Sequence, residues 1–219
     1  MLLDIPQREL TIKLVYYGPA LSGKTTNLRH LHARATSPQK GQLLSLDTYA
    51  DRTIFFDLLG VVFRAAGVAV RLRLYTVPGQ VMHVATRRLV LQGADGVAFI
   101  ADSRVVETDA NTASFSDLKE NLRANGVDAE GVPVVVQFNK RDLPDIRPDA
   151  ELDALAKNGR EPIYRASALR GDGVVETVIG LAEITWDHLE RRHRLKEMLG
   201  VTREDFSRQL AAQFAAQFA

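Results

Sequence analysis

The sequence predicts an α/β fold with a mostly parallel central sheet and helices on both faces. Three observations lead there. Near-continuous apolar, β-branched runs recur along the chain, and such runs mark strands covered on both sides. Helix-like segments separate these runs, the pattern of parallel strands joined by crossovers. The 219 residues, 46% of them apolar, suffice for one full core.

Taken in order, TIKLVYY (11–17) is the first strand and feeds a glycine-rich turn and a helix over 24–34. QLLSL (42–46) and GVVFRAA (60–66) form an extra, partly antiparallel edge. VAVRLRLYTV (68–77), GVAFIAD (96–102), PVVVQFN (133–139) and the shorter EPIYRAS (161–167) supply the other strands. Helices fall over 84–92, 111–125, 149–157 and 174–198. The last runs through WDHLERRHRLKEML, longer than a closing helix needs, until Gly200 interrupts it. Then Thr202-Arg203-Glu204-Asp205 reads as an N-cap with an acid at the third helical position. Phe206, Leu210, Phe214 and Phe218 recur every four residues as one apolar stripe. The chain therefore divides into a domain over 1–198 and a C-terminal helical extension over 199–219. Docking of the stripe on the parent domain is the favoured reading, partner binding or self-association the competing one.

Composition narrows the function. Lys+Arg is 28 and Asp+Glu 27, a net charge of +1 that gives no reason to expect nucleic acid. No cysteine is present, which excludes disulfides, thiolate metal sites and prenyl or palmitoyl anchors. MLLDIPQREL carries acid early and lacks a long apolar core, so no signal peptide is expected. Leu2 stands where myristoylation needs glycine. No apolar run reaches the length of a membrane span. A cytoplasmic protein is expected. The basic stretch ERRHRLK (190–196) reads as a solvated helix face.

The turn after the first strand is GPALSGKTT. Its Gly-x-x-x-x-Gly-Lys-Thr spacing, between an apolar strand and a helix, is a phosphate-binding loop. Gly18, Pro19, Ala20, Leu21, Ser22 and Gly23 form the cradle, the two glycines letting the backbone approach the anion. Lys24 reaches the β- and γ-phosphates, Thr25 offers a hydroxyl to Mg²⁺, and Thr26 continues the first helical turn at the positive end of the helix dipole. The loop alone does not separate ATP from GTP. QFNKRDLP does. Asn139, Lys140 and Asp142 leave a strand's carboxyl end, where open α/β sheets bind ligands. Asp142 accepts from the paired donors of guanine, which adenine lacks. Lys140 lays its stem along the base, and Asn139 ties this loop to the phosphate loop. Ser167, Ala168 and Leu169 follow the next strand, with the Ala168 N–H facing guanine O6. GTP or GDP is the expected ligand, an ATPase the alternative.

These stretches resemble the Ras-like small GTPases, and among them the bacterial MglA family of cell polarity and gliding motility. KLVYYGPALSGKTTNL, LDTYADRTIFFDLL, LYTVPGQV, GVAFIADS and QFNKRDLP carry the similarity over roughly residues 9 to 185. TVPGQ is the most telling, because Ras-like proteins commonly have Asp where Thr76 stands and MglA-like ones have threonine. The resemblance implies a P-loop NTPase fold, a Ras-like three-layer sandwich. It implies Mg²⁺-dependent GTP hydrolysis, slow without help, and switch segments at about 47–60 and 76–92. It makes Arg52 a built-in arginine finger, Thr53 a contact for Mg²⁺ and the γ-phosphate, and Gln80 the residue that positions the attacking water after the Pro78-Gly79 turn. Gly79 brings its backbone to the γ-phosphate, and Asp57 supports Mg²⁺ through water. Thr76 lacks the usual carboxylate, which implies modest Mg²⁺ affinity. The implied partner is a roadblock-fold homodimer of MglB type acting as GTPase activator, with recruitment to a cell pole or membrane surface by partners. Arg87 and Arg88 read as solvated or as contacts for an acidic partner. Ala20 departs from the glycine usual at its position. A methyl group there crowds the water-positioning glutamine or an arginine, so a guanine-nucleotide-binding module with little or no hydrolysis is the alternative function.

Overall fold

The computed structural model describes residues 1–35, 44–46, 56–78, 84–127 and 131–215. Its strands are β1 (Leu2–Asp4), β2 (Glu9–Tyr17), β3 (Leu44–Leu46), β4 (Phe56–Ala65), β5 (Val68–Thr76), β6 (Gly96–Asp102), β7 (Val134–Asn139) and β8 (Ile163–Arg165). The helices are α1 (Lys24–Arg34), α2 (Val84–Leu91), α3 (Thr108–Ala124), α4 (Asp149–Asn158), α5 (Val174–His193), α6 (Leu195–Leu199) and α7 (Arg203–Ala212). One sheet runs β3-β4-β5-β2-β6-β7-β8, with β1 pairing antiparallel to the start of β2. From β5 to β8 every pairing is parallel, whereas β3–β4 and β4–β5 are antiparallel. The sequence expectation of a parallel sheet with an antiparallel edge holds.

Alternation along β2 builds two cores. Leu10, Ile12, Leu14 and Tyr16 join one cluster with residues of α1, α5, α6 and α7. Val15 and Tyr17 point the other way, into a cluster with residues of α2, α3 and α4. Successive side chains on a strand face opposite sides, so a two-sided sheet needs apolar residues at every position. Strand β6 is buried at each of its residues.

Two details differ from the sequence reading. β1 is an added strand. The long final helix ends at His193, where Arg194 adopts φ 53, and restarts as α6. That left-handed residue turns the chain so that Leu195, Leu199 and Val201 all enter the core, each at most 2% exposed. A straight continuation carries no such requirement. Thr202 then caps α7, its hydroxyl accepting from the Asp205 N–H at 3.1 Å.

Helix α7 packs its stripe inward. Phe206, Leu210 and Phe214 are buried, while Phe218 lies outside the described residues. The Phe206 ring stacks on Trp186 of α5 at 4.6 Å and meets Phe63 of β4 at 5.6 Å. Arg203 pairs with Glu183 and Asp187 of α5, and Arg8 donates to the Leu199 carbonyl at 3.0 Å. Phe206→Ala should therefore destabilise the protein by about 3–5 kcal/mol, the cost of an aromatic cavity in a packed core. Urea unfolding at constant slope measures it. A loss within about 0.5 kcal/mol is what a peripheral helix gives.

Candidate functional site

The parallel strands release their loops at one edge of the sheet, and β2 lies between β5 and β6 where chain order changes direction. Ligands of open α/β sheets sit at such a point. The loop after β2 is built on two glycines that no other residue can replace. Gly18 has φ 140, and a Cβ there meets the Ile100 carbonyl oxygen at 2.2 Å. Gly23 has φ 98, and a Cβ there meets Asn139 Nδ2 at 2.2 Å. Leu21, 88% exposed, also takes a left-handed backbone, φ 59, a strain of about 1–2 kcal/mol for an L residue. Ala20 lies on the exposed rim beside it, outside that strained region.

Lys24 opens α1, and its helix offers a ready anion site: the cap is glycine without a side-chain bond and the first turn holds no acid. The Lys24 ammonium is 7% exposed and donates to the carbonyls of Gly18 (2.9 Å) and Pro19 (2.6 Å). Burial, then the nearby Arg87 cation, push it down to about 7, with Asp57 opposing. A cation so placed gains from an anion seated beside it.

A cluster of hard oxygen donors stands beside the lysine. Thr25 Oγ1 donates to Asp57 Oδ2 at 2.5 Å, and Thr76 Oγ1 to the same oxygen at 3.1 Å. The Asp57 N–H in turn donates to Thr76 Oγ1 at 2.8 Å. The carboxylate that position 76 lacks thus arrives from β4, across the β4–β5 pair. Hydroxyl and carboxylate oxygens in this number suit Mg²⁺, which binds through one or two carboxylates plus water and phosphate.

The loops after β7 and β8 complete the site. Asn139, 2% exposed, donates from Nδ2 to the Ser22 carbonyl at 2.8 Å and accepts the Ala168 N–H on Oδ1 at 2.8 Å. One side chain therefore joins the phosphate loop to the Ser167–Leu169 segment. The Ala168 N–H, which the sequence reading gives to guanine O6, is engaged by Asn139 here. Ser167 Oγ donates to Asp142 Oδ1 at 2.6 Å, and that bond holds the Asp142 carboxyl below the ordinary carboxylate range. Lys140 has φ 66, and its Nζ lies 2.6 Å from Asp102 Oδ2. Leu169 is 80% exposed. Arg52, Thr53, Gly79 and Gln80 lie outside the described residues.

Sequence reasoning missed three contributors. Asp102 ends β6 at 3% exposure and anchors both Lys140 and Arg104. Burial works against its charge, but those hydrogen bonds still hold its carboxyl low. A carboxylate closing an otherwise apolar buried strand was the available signal. Tyr17 and Asp117 are the other two. Arg87, expected on the surface, is 5% exposed and pairs with Asp117 of α3 at 2.9 Å, while Asp117 also accepts from the hydroxyl of Tyr17, the residue before Gly18. Arg88 donates to Asn121 of α3 at 3.0 Å. A separate cavity of about 370 Å³ under α3 and α4, lined by Phe99, Phe115, Phe138 and Leu155, is away from these loops and mainly apolar.

The chain is 41% identical over 190 residues to the mutual gliding-motility protein MglA of Myxococcus xanthus (strain DK1622), covering 86% of this chain and 97% of that one. It is 26% identical over 190 residues to ADP-ribosylation factor-like protein 6 of Caenorhabditis briggsae, covering 83% of this chain and 90% of that one. No family model matches the chain.

Proposed function

The chain belongs to the MglA family of Ras-like small GTPases, and from that membership we propose that it is a GTP/GDP switch that hydrolyses GTP with Mg²⁺, slowly on its own. The observation that carries the reading is the pair of hydrogen bonds from Asn139 to the Ser22 carbonyl and the Ala168 N–H, which ties a lysine-bearing phosphate loop to the segment that orients Asp142. Asp142, ionised and held by Ser167, accepts from guanine N1–H and the exocyclic amine. Adenine leaves those bonds unmade, and unmade bonds to a site built for them discriminate strongly. Lys24, loop N–H groups and the α1 dipole neutralise the β- and γ-phosphates.

Phosphoryl transfer leaves the protein mainly positioning and electrostatics. By family position, Gln80 orients the attacking water and Gly79 brings its backbone to the γ-phosphate. Arg52 stabilises charge in the transition state, a role worth ~10³–10⁵ in rate when the finger is placed. Thr25 and Thr53 are the metal ligands in this reading, with Asp57, held by Thr76, acting through water. A Mg²⁺ held by these residues would supply charge neutralisation at the β- and γ-phosphates.

A roadblock-fold homodimer of MglB type is the proposed activator, acting through Arg52 and Gln80. The likeness to a gliding-motility protein supports a role in motility or cell polarity. Partners recruit the protein to a pole or membrane surface; among the described residues no helix is long and apolar enough to cross a membrane. Residues 1–198 form the GTPase domain and 199–219 its helical extension. The second reading, a nucleotide-binding module without turnover, draws on one observation: Ala20 stands exposed on the rim of the phosphate loop, where glycine is usual.

Multiple-turnover phosphate release from GTP, with and without the activator, separates the two. Slow release stimulated by the partner, and faster release after Ala20→Gly, are expected. No release above buffer in either condition overturns the enzyme and leaves the binding module. Asp142→Asn should weaken GDP by about 10–100-fold, the worth of hydrogen bonds to a charged group, and leave ADP unaffected. Direct competition by GTP and ATP reads this, and a preference for ATP refutes the Asp142 assignment. GDP binding also restores the charge on Lys24 and so takes up a proton. Between pH 7 and 8.5, where the terminal phosphate is already ionised, affinity should fall as pH rises, by up to about tenfold per unit. Calorimetry in buffers of different ionisation enthalpy counts the proton. A flat profile removes Lys24 from the phosphate site.

A further inference from the structure

Strand β7 presents Gln137 and Asn139 on one face, two residues apart. Asn139 bridges the phosphate loop to the Ser167–Leu169 segment. Gln137, fully buried, makes a second bridge one step deeper. Its Nε2 donates to Asn27 Oδ1 at 3.0 Å and to Thr177 Oγ1 at 2.8 Å. Both partners are also fully buried. Asn27 Nδ2 passes the link to the Gly23 carbonyl at 3.0 Å, and Thr177 Oγ1 to the Gly173 carbonyl at 2.6 Å. The amide orientation follows from this chain. Thr177 spends its proton on Gly173, and Asn27 turns its amide nitrogen to Gly23 and its oxygen to Gln137, so each presents an acceptor to Gln137.

The two carbonyls reached are the caps of α1 and α5. Both caps are glycines in left-handed backbone, φ 98 and 71, and neither has a side-chain cap. Each helix start therefore lacks the usual side-chain lock. The network instead grips each start by its cap carbonyl and ties both to one residue of β7. It does so while Gln137 Oε1 remains buried without a partner among the described residues. An unpaired buried carbonyl weakens a core, and an apolar side chain of similar shape avoids that penalty. Stability alone gives no reason for glutamine at this position; the two bonds of its amine do.

We infer that Gln137, with Asn27 and Thr177, is a positioning unit that fixes the distance between the phosphate-binding and base-binding loops and thereby sets how fast guanine nucleotide leaves. The inference rests on the guanine-nucleotide site proposed above. A ligand that spans both loops feels the spacing, and a ligand held by the phosphate loop alone does not. None of the three residues touches the ligand; each acts through a loop.

Release of a fluorescent GDP analogue from the full chain, with inorganic pyrophosphate binding measured in parallel, tests the idea. Gln137→Leu and Thr177→Val should speed release by about tenfold or more, the effect of losing a buried hydrogen bond. Thr177→Ser, which keeps the hydroxyl, should stay within about twofold, and pyrophosphate affinity should stay within about twofold in all three. A folded Gln137→Leu that releases GDP at the native rate overturns the inference. So does an equal loss of GDP and pyrophosphate, which marks general disruption. If Gln137→Leu does not fold, the contrast of Thr177→Val with Thr177→Ser decides alone: equal rates overturn it, unequal rates sustain it. A native protein that binds pyrophosphate but no GDP overturns the guanine reading and this inference with it.

Discussion

The site depends on one buried amide. Asn139 reaches the Ser22 carbonyl and the Ala168 N–H, both at 2.8 Å, from the buried end of β7. A buried amide in such surroundings is costly unless its donors and acceptors are met. Here they are met by two loops that follow different strands, and Gln137 links the helices behind them one step deeper. The demand spreads outward. Gly23 must lack a side chain because a Cβ would lie 2.2 Å from the same Nδ2. The Ala168 N–H is fixed by the bond, and with it the neighbouring Ser167, which orients Asp142. The phosphate end and the base end are thereby parts of one hydrogen-bonded body.

Charge imposes the second constraint. Lys24, Arg87 and Asp57 share a poorly solvated corner, and Arg87 is pinned there by Asp117. Burial first, and then repulsion from the Arg87 cation, weaken the lysine's hold on its proton. A polyanion relieves that repulsion. The corner is therefore poised for an anion, independently of the loops after β7 and β8.

Much of this was legible in the sequence because it is local. The phosphate loop, α1 over 24–34, the strand β6 and the Asn139–Asp142 run are each encoded by contiguous residues whose spacing has a physical meaning. What escaped reading is what depends on pairs far apart in the chain. Asp102 is an ordinary strand end until Lys140 folds against it. Arg87 looks like a surface cation until α3 brings Asp117 to it. The break at Arg194 has no proline or glycine to announce it, and arises because Leu195 and Leu199 gain more by burial than the helix loses by turning. Periodicity sees a helix there; it does not see which face has a core to meet.

The same reasoning accounts for Thr76. A threonine where Ras-like proteins commonly have a carboxylate would leave that corner without one, yet Asp57 brings a carboxylate from β4 and Thr76 holds it. The substitution shifts the burden to strand register. Antiparallel pairing sets Leu58 opposite Tyr75, which brings Asp57 level with Thr76. A slip of one residue would turn Asp57 to the other face of the sheet. What forbids the slip is apolar and distant from the site. On the same strand, Leu59, Val61, Phe63 and Ala65 alternate into one core, and Phe63 is met by Phe206 of α7. The carboxylate is thus placed by hydrophobic burial several residues away, and the helix that closes the chain takes part in holding that register.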